Sequence, residues 1–232
     1  MIEMDTQLAR FHLDEQQGTW FVVAPRVEYS VVPSLSFSAR IPFAVVHYTD
    51  GNTVAGLGDF DVGMKVRLYA TEHGEFIASI GLSSEFPTGN SDNGIGNGHF
   101  ELSPFLALSS QPARFLIFYG IFADRLSLGG EHHHDSGTDG HAHAHGSVIE
   151  PHEKHELFGR LGASVVHGPA FLSAGADVIY VISGGEPGPV VVRAEAGRLF
   201  VEKLRVALGI DVPVAGEPRF TWRARLGAAW LF

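Results

Sequence analysis

The sequence of 232 residues contains no cysteine, which excludes disulfides, thiol nucleophiles and thiolate metal sites. Charged residues are also scarce, at 18% of the chain, whereas hydrophobic residues make up 45%. Yet no apolar run approaches the roughly 18 to 20 residues that a membrane-spanning helix needs. The net charge of −10 argues against a nucleic-acid partner, because such partners bind basic surfaces. The apolar residues must therefore be dispersed along the chain in another pattern.

That pattern is alternation, and it is clearest in residues 219–232, which read RFTWRARLGAAWLF. One set of alternate positions is apolar: Phe220, Trp222, Ala224, Leu226, Ala228, Trp230 and Phe232. The other set carries Arg223 and Arg225. A period of two, with aromatic residues near both ends of an apolar face, is typical of a transmembrane β-strand. We expect the apolar set to face lipid and the strand to close a barrel against the N-terminal strand.

Similar alternation recurs along the whole chain. It predicts twelve strands, at 6–13, 20–30, 35–47, 59–70, 76–86, 99–109, 114–127, 157–165, 171–182, 190–202, 204–214 and 219–232. In 114–127 both faces are apolar, so inside and outside cannot be assigned there. In 190–202 the phase slips near Gly197, which favours a β-bulge over a short helix.

The connections between these strands alternate in length. Short turns at 31–34, 71–74, 111–112, 167–169 and 202–203 are separated by longer loops at 49–57, 87–98, 129–154, 183–189 and 215–218. Short turns at one end and long loops at the other are typical of outer-membrane barrels. The sequence predicts one all-β domain over 1–232, a transmembrane antiparallel up-and-down β-barrel of about twelve strands in a Gram-negative outer membrane.

A soluble β-sandwich or lipocalin-like barrel is the alternative fold, because alternation alone does not tell whether an apolar face meets a core or lipid. Charges in the middle of the polar faces, the asymmetric loop lengths and the aromatic final strand favour the membrane barrel.

Four short motifs resemble those of a known family. They are IPF at 41–43, GLGDFDVGMK at 56–65, FPTGN at 86–90 and GIGNG at 94–98. In this order they resemble outer-membrane proteins named for the meta-pathway of phenol degradation, which are regarded as transporters. The resemblance implies a barrel of the Gram-negative outer membrane, assembled through a C-terminal aromatic strand, and it brings no catalytic residue with it.

A histidine-rich segment interrupts the pattern between two predicted strands, and we expect it to form an extracellular loop at 129–155. Eight of the thirteen histidines lie there: His132, His133, His134, His141, His143, His145, His152 and His155. Imidazoles interspersed with carboxylates suit Zn²⁺, Ni²⁺ or Cu²⁺. The segment therefore predicts metal capture or sensing; a solvated loop that binds metals only because histidine does is the alternative. No resident cofactor is required.

Charged residues on the opposite strand faces are the third candidate site. The alternation predicts that twelve of them line a lumen: Arg40, Asp59, Asp61, Lys65, Arg67, Glu85, Arg160, Asp177, Arg205, Asp211, Arg223 and Arg225. The same phase also places Arg26, Glu28, Glu101, Arg193 and Glu195 inside. Both signs are present, so these residues predict either a narrow polar pore or a salt-bridged plug.

Motifs of hydrolases, zinc peptidases and nucleotide-binding proteins are missing from the sequence, so an enzyme is not expected. We predict a channel for passive passage of a small solute or ion, linked to a transition metal through the histidine-rich segment. Its expected partners are outer-membrane lipid and the solute or metal ion. The alternative is a non-conducting outer-membrane surface protein that binds metal or docks a protein partner in the envelope.

Overall fold

The computed structural model describes residues 1–13, 16–129, 147–149, 155–183, 186–201 and 203–232. Fourteen strand segments form one antiparallel sheet: β1 (Ile2–Leu13), β2 (Gln16–Val32), β3 (Leu35–Arg40), β4 (Phe43–Tyr48), β5 (Thr53–Leu57), β6 (Phe60–Ala70), β7 (Phe76–Phe86), β8 (Phe100–Ala113), β9 (Leu116–Leu128), β10 (His155–His167), β11 (Ala170–Val181), β12 (Glu186–Phe200), β13 (Leu204–Ala215) and β14 (Trp222–Trp230). A 3₁₀ turn spans Ser91–Asn93. Within these residues no helix is long and apolar enough to cross a bilayer.

Two barrel strands are interrupted halfway, so the fourteen segments amount to twelve strands. Both β3 and β4 pair with β2, and the break between them contains Pro42, which has no backbone N–H to donate. The next strand is interrupted at the same height, since β5 pairs with β4 and β6 pairs with β3. The Gly58 N–H donates to the Pro42 carbonyl at 2.8 Å and bridges the two breaks.

The sheet closes on itself through β1. This strand pairs with β2 on one side and with β14 on the other, from Ile2 opposite Trp230 to Arg10 opposite Trp222. The predicted twelve-stranded antiparallel barrel and its closure by the final strand are thereby confirmed. The N-terminal strand begins at residue 2 rather than at residue 6, because the register with β14 extends to the start of the chain.

Two loop boundaries and the position of a bulge differ from the sequence expectation. Most of the predicted loop 49–57 belongs to β5, and the predicted loop 183–189 is shortened because β12 begins at Glu186. The strand predicted at 190–202 is continuous up to Phe200, so the helix alternative is wrong, and its register shifts beside Val190 rather than at Gly197. Arg198 faces outwards near the end of β12, over the Phe200 ring, which explains the apparent slip in the alternation.

The outer face of the barrel is a band of exposed apolar side chains. They include Leu8, Phe21, Phe37, Ile80, Leu106, Phe122, Leu161, Leu172, Val192, Leu208 and Leu226. In β9, which the sequence left unassigned, Phe118 and Phe122 are exposed whereas Ile121 and Ala123 line the interior. An apolar band around a closed barrel suits a bilayer, in agreement with the predicted outer-membrane location.

A charge in the middle of this band should destabilise the barrel in a depth-dependent manner. Leu208 lies halfway along β13, opposite Leu226. Leu208→Arg should lower the free energy of unfolding from lipid bilayers by about 2–4 kcal/mol. Leu128→Arg, at the loop end of β9, should cost about 1 kcal/mol or less. Denaturant titration in vesicles measures both, and equal costs would contradict a lipid-facing Leu208.

Candidate channel lumen

The side chains that alternate with the apolar band enclose a cavity of about 580 Å³. Nine of the twelve residues predicted to line a lumen lie on its wall: Arg40, Asp61, Lys65, Glu85, Arg160, Asp177, Arg205, Arg223 and Arg225. They come from β3, β6, β7, β10, β11, β13 and β14, so strand alternation around the closed sheet brings residues far apart in sequence to one interior.

The other three predicted residues have different positions. Asp211 is fully buried beneath the arginines of neighbouring strands. Asp59 is also buried, in the break between β5 and β6, where it holds a loop. Arg67 lies near the short-turn end of β6, where it is exposed and outside the cavity wall.

An ion-pair network covers the wall formed by β10–β14. Arg160 lies directly across from Asp177 and donates to both carboxylate oxygens, at 2.7 and 2.9 Å. Arg193 reaches the same carboxylate at 2.9 Å and also lies 3.3 Å from Asp211. Because these residues lie on adjacent strands at the same height, each carboxylate meets more than one guanidinium, which offsets the cost of its burial.

The network continues across the final strand. Asp211 lies opposite Arg223 in the register and is 2.7 Å from it, and Arg225 is 3.0 Å from the same carboxylate. Glu195 then binds Arg225 at 3.3 Å and Arg205 at 2.6 Å. Five arginines therefore share three carboxylates on this wall, which leaves an excess of positive charge.

The opposite wall, on β1–β8, has the reverse balance. Its carboxylates are Glu3, Asp5, Glu28, Asp61, Glu85 and Glu101, and its cations are Arg26, Arg40 and Lys65. Glu28 binds Lys65 at 2.9 Å and lies 3.7 Å from Arg26. Facing walls of opposite excess charge set up an electric field across the lumen.

Two loop segments fold into the barrel at the loop end. Ile95 and Val148 are buried against an apolar patch of β1, β2 and β4 that includes Phe11 and Trp20. The Val148 N–H donates to the carbonyl of Gly94 at 3.0 Å, so the two segments also bind each other. The mouth on the β1–β4 side is therefore filled by the protein's own loops.

Asp59 anchors the first of these segments. Its two carboxylate oxygens accept the backbone N–H groups of Gly89, at 2.8 Å, and Asn97, at 2.5 Å. A Cβ on Gly96 would lie 2.8 Å from the same carboxylate, so the close approach requires glycine. The Asn97 amide also donates to Glu85 at 2.6 Å. The glycine-rich motifs that carry the family resemblance thus turn the loop onto Asp59.

Sequence reasoning missed a buried cluster at the loop end. Glu156 is fully buried; Arg219 donates to both of its carboxylate oxygens and Arg125 lies 3.9 Å away. Glu156 could have been found by extending the alternation of 157–165 back by one residue. Arg219 precedes β14, where no strand period applies.

Phe220 was expected to face lipid, and this prediction is wrong. It is buried, lines the cavity and lies beneath the guanidinium of Arg223, 4.7 Å from the ring centre. The reason is that β14 begins only at Trp222, and the Arg219–Glu156 pair holds the preceding residues inside. Glu3 and Asp5 were missed because β1 was predicted to begin too late, at residue 6.

Part of the histidine-rich segment lies among the described residues. His155 is the first residue of β10 rather than part of a loop, and its Nε2 lies 2.7 Å from the Asp124 carboxylate. Ser147 and Val148 belong to no strand and are buried in the barrel mouth, so this part of the expected loop folds inwards. His132, His133, His134, His141, His143, His145 and His152 lie outside the described residues. Elsewhere, among the residues that the structure does describe, no three potential metal ligands cluster.

Comparisons with known proteins show the fold. No family model and no curated protein matches the chain. The structure is similar to that of the COG4313 outer membrane channel from Pseudomonas putida F1, with a TM-score of 0.76 and 13% identity over 100% of this chain and 94% of that one. The NanC porin gives a TM-score of 0.62 at 8% identity, over 100% of both chains. The KdgM porin in complex with disordered oligogalacturonate gives 0.58 at 10% identity, over 99% of both.

These neighbours all have outer-membrane barrel folds, in agreement with the predicted kind of family. The resemblance to the phenol-pathway family stays a prediction.

Removal of the Asp59 carboxylate should release the loop that it holds. Asp59→Ala leaves the N–H groups of Gly89 and Asn97 without their acceptor, and hydrogen bonds to charged groups contribute about 1.5–3 kcal/mol each. Hydrogen–deuterium exchange of the peptide covering 87–98 should therefore become about tenfold faster or more. Asp50→Ala, in an exposed turn where Asp50 accepts the Asn52 N–H, is the control. Unchanged exchange in Asp59→Ala would contradict the anchor.

Proposed function

We propose that the chain is a passive outer-membrane channel for small polar or charged solutes. The observation that carries this proposal is the way in which the lumenal charges pair. In the middle of the barrel the ion pairs join side chains around one wall, as in the series Arg160, Asp177, Arg193, Asp211 and Arg223. Such pairs hold the side chains against the wall and leave a cavity, whereas a plug needs pairs that cross the lumen.

The comparisons support the same proposal at the level of fold. The COG4313 protein is described as an outer membrane channel, and NanC and KdgM are described as porins. A twelve-stranded barrel is also intermediate between small barrels filled by side chains and wide porins. Because Ile95 and Val148 narrow the mouth, the proposed channel admits small solutes only.

A bulky residue on the lumenal face should reduce conductance, and the same residue on the lipid face should not. Gly227 lines the cavity, and a Cβ built there meets no atom within 4 Å. Gly227→Trp should lower the single-channel conductance in planar bilayers by about half or more. Ala228→Trp, the next residue on the opposite face of β14, is the matched control and should conduct as the wild type does.

Two results would contradict the channel proposal. One is a folded, heat-modifiable wild-type barrel that gives no conductance at all, which would favour the non-conducting surface protein. The other is equal conductance of Gly227→Trp and Ala228→Trp, which would mean that current does not pass through this lumen.

We further propose that the histidine-rich segment binds a transition metal. The proposal is supported by the eight histidines within 131–155 and by the position of His155, beside the Asp124 carboxylate at the loop end of the barrel. Imidazole and carboxylate together suit Zn²⁺, Ni²⁺ and Cu²⁺. The metal is then either cargo or a regulator of the channel.

Calorimetry should detect Zn²⁺ binding at about micromolar levels at pH 7.5. Binding should weaken below about pH 6, because histidine with a pKa near 6.5 must lose its proton before it coordinates a metal. The variant H141A/H143A/H145A should bind more weakly, and H12A/H47A/H73A, which removes three histidines outside the segment, should bind as the wild type does. An absence of binding heat at pH 7.5, or equal loss in both variants, would exclude this site.

A further inference from the structure

In all but one of the lumenal ion pairs described here, the cation is more exposed to the interior and the carboxylate lies behind it. The side chain of Arg205 is 47% exposed and its partner Glu195 is 20% exposed. Lys65 is 43% exposed and its partner Glu28 is 17% exposed.

The pairs Arg26–Glu28, Arg125–Glu156, Arg160–Asp177, Arg193–Asp211, Arg219–Glu156 and Arg223–Asp211 have the same order. Arg225–Glu195 is the exception, at 15% and 20%. The rule therefore covers both walls of the lumen.

Aromatic rings hold several of these guanidinium groups in position. Arg125 and Arg160 lie over the Phe158 ring at 4.6 and 5.3 Å, and Arg205 lies over Phe171 at 4.7 Å. A ring covers the face of a guanidinium and leaves the N–H groups at its edge available as donors. The exposed edges can therefore bind an anion in the lumen without breaking the pairs behind them.

The charge nearest to an ion in the lumen has the largest effect on it. Coulomb energy falls with separation, and at 0.1 M salt the screening length is about 10 Å. The carboxylates Asp177 and Asp211 are at most 7% exposed, so their charge is already compensated by the arginines in front of them. The six carboxylates of the β1–β8 wall oppose this effect, but Glu28 on that wall is again covered by Lys65 and Arg26.

From this arrangement we infer that the lumen selects small anions, which pass along the exposed guanidinium and ammonium groups. The inference rests on the proposed channel function and adds the class of solute. The solute class is defined by the chemistry that guanidinium recognises: chloride, phosphate or a small carboxylate.

The test measures reversal potentials of the full-length wild-type protein in a planar bilayer across a KCl gradient. The chloride-to-potassium permeability ratio should be above one, about 3 or more at 0.1 M salt. It should fall towards one near 1 M salt, where the screening length shrinks to about 3 Å.

Substitutions at the most exposed cations then locate the selectivity. R205Q/K65Q removes two of them and leaves each carboxylate with another cation, since Glu195 keeps Arg225 and Glu28 keeps Arg26. Its permeability ratio should fall to about one, and R205E/K65E should reverse the preference to potassium. R114Q/R198Q removes two exposed arginines that lie outside the cavity wall and should leave the ratio unchanged.

The outcomes separate the inference from the function on which it rests. A folded wild-type barrel without conductance overturns both. A conducting wild type with a ratio of one or below at 0.1 M salt overturns the inference alone, and so does an equal change of the ratio in R205Q/K65Q and R114Q/R198Q.

Discussion

The pairing of β1 with both β2 and β14 is the constraint on which the rest of the structure depends. An unpaired backbone N–H or C=O group in hydrocarbon costs several kcal/mol, so a sheet that spans a membrane must close. Once Ile2 lies opposite Trp230 and the sheet is closed, every residue in a strand faces either lipid or the interior. A chain with few charges can then place almost all of its strand charges inside, and its interior apolar cluster is confined to the loop end. Along the rest of the barrel, the outer band of apolar side chains stabilises the fold through its contact with lipid.

The closed register also determines which charges meet. Arg160 lies across from Asp177, Arg193 across from Asp211, and Asp211 across from Arg223. A buried carboxylate with one partner barely repays its desolvation, whereas Asp211 lies within 3.3 Å of three guanidinium groups. Arginine rather than lysine suits this role, because its planar fork can donate to two carboxylates at once. The network thus follows from strand register and is not an independent feature of the site.

Strands and lumenal charges could be predicted from the sequence because successive residues of a strand point to opposite faces, which neighbouring residues alone reveal. Lys65, Arg205 and Arg225 lie on the cavity wall because each alternates with apolar neighbours that take the outer face. The loops follow no such period. Ile95 and Val148 are inside because they meet Phe11 and Trp20, and Phe220 is inside because Arg219 binds Glu156 from 63 residues away. Asp59 was taken for a strand residue, although it lies in a break that only the pairing of β5 with β4 and β6 with β3 makes visible.

The interior of the barrel is partly apolar at the loop end and charged in the middle. At the loop end, the interior faces of β1, β2 and β4 are apolar and are covered by Ile95 and Val148, so a charged group there would lose its hydration without gaining a partner. The polar part of that end lies on the other side, where Arg125 and Arg219 line the cavity. Below them the arginines of β10–β14 continue the same wall. The apolar loops therefore do more than narrow the mouth: they cover the side of β1, β2 and β4, and among the described residues guanidinium groups line the other side from the loop end to the middle of the barrel.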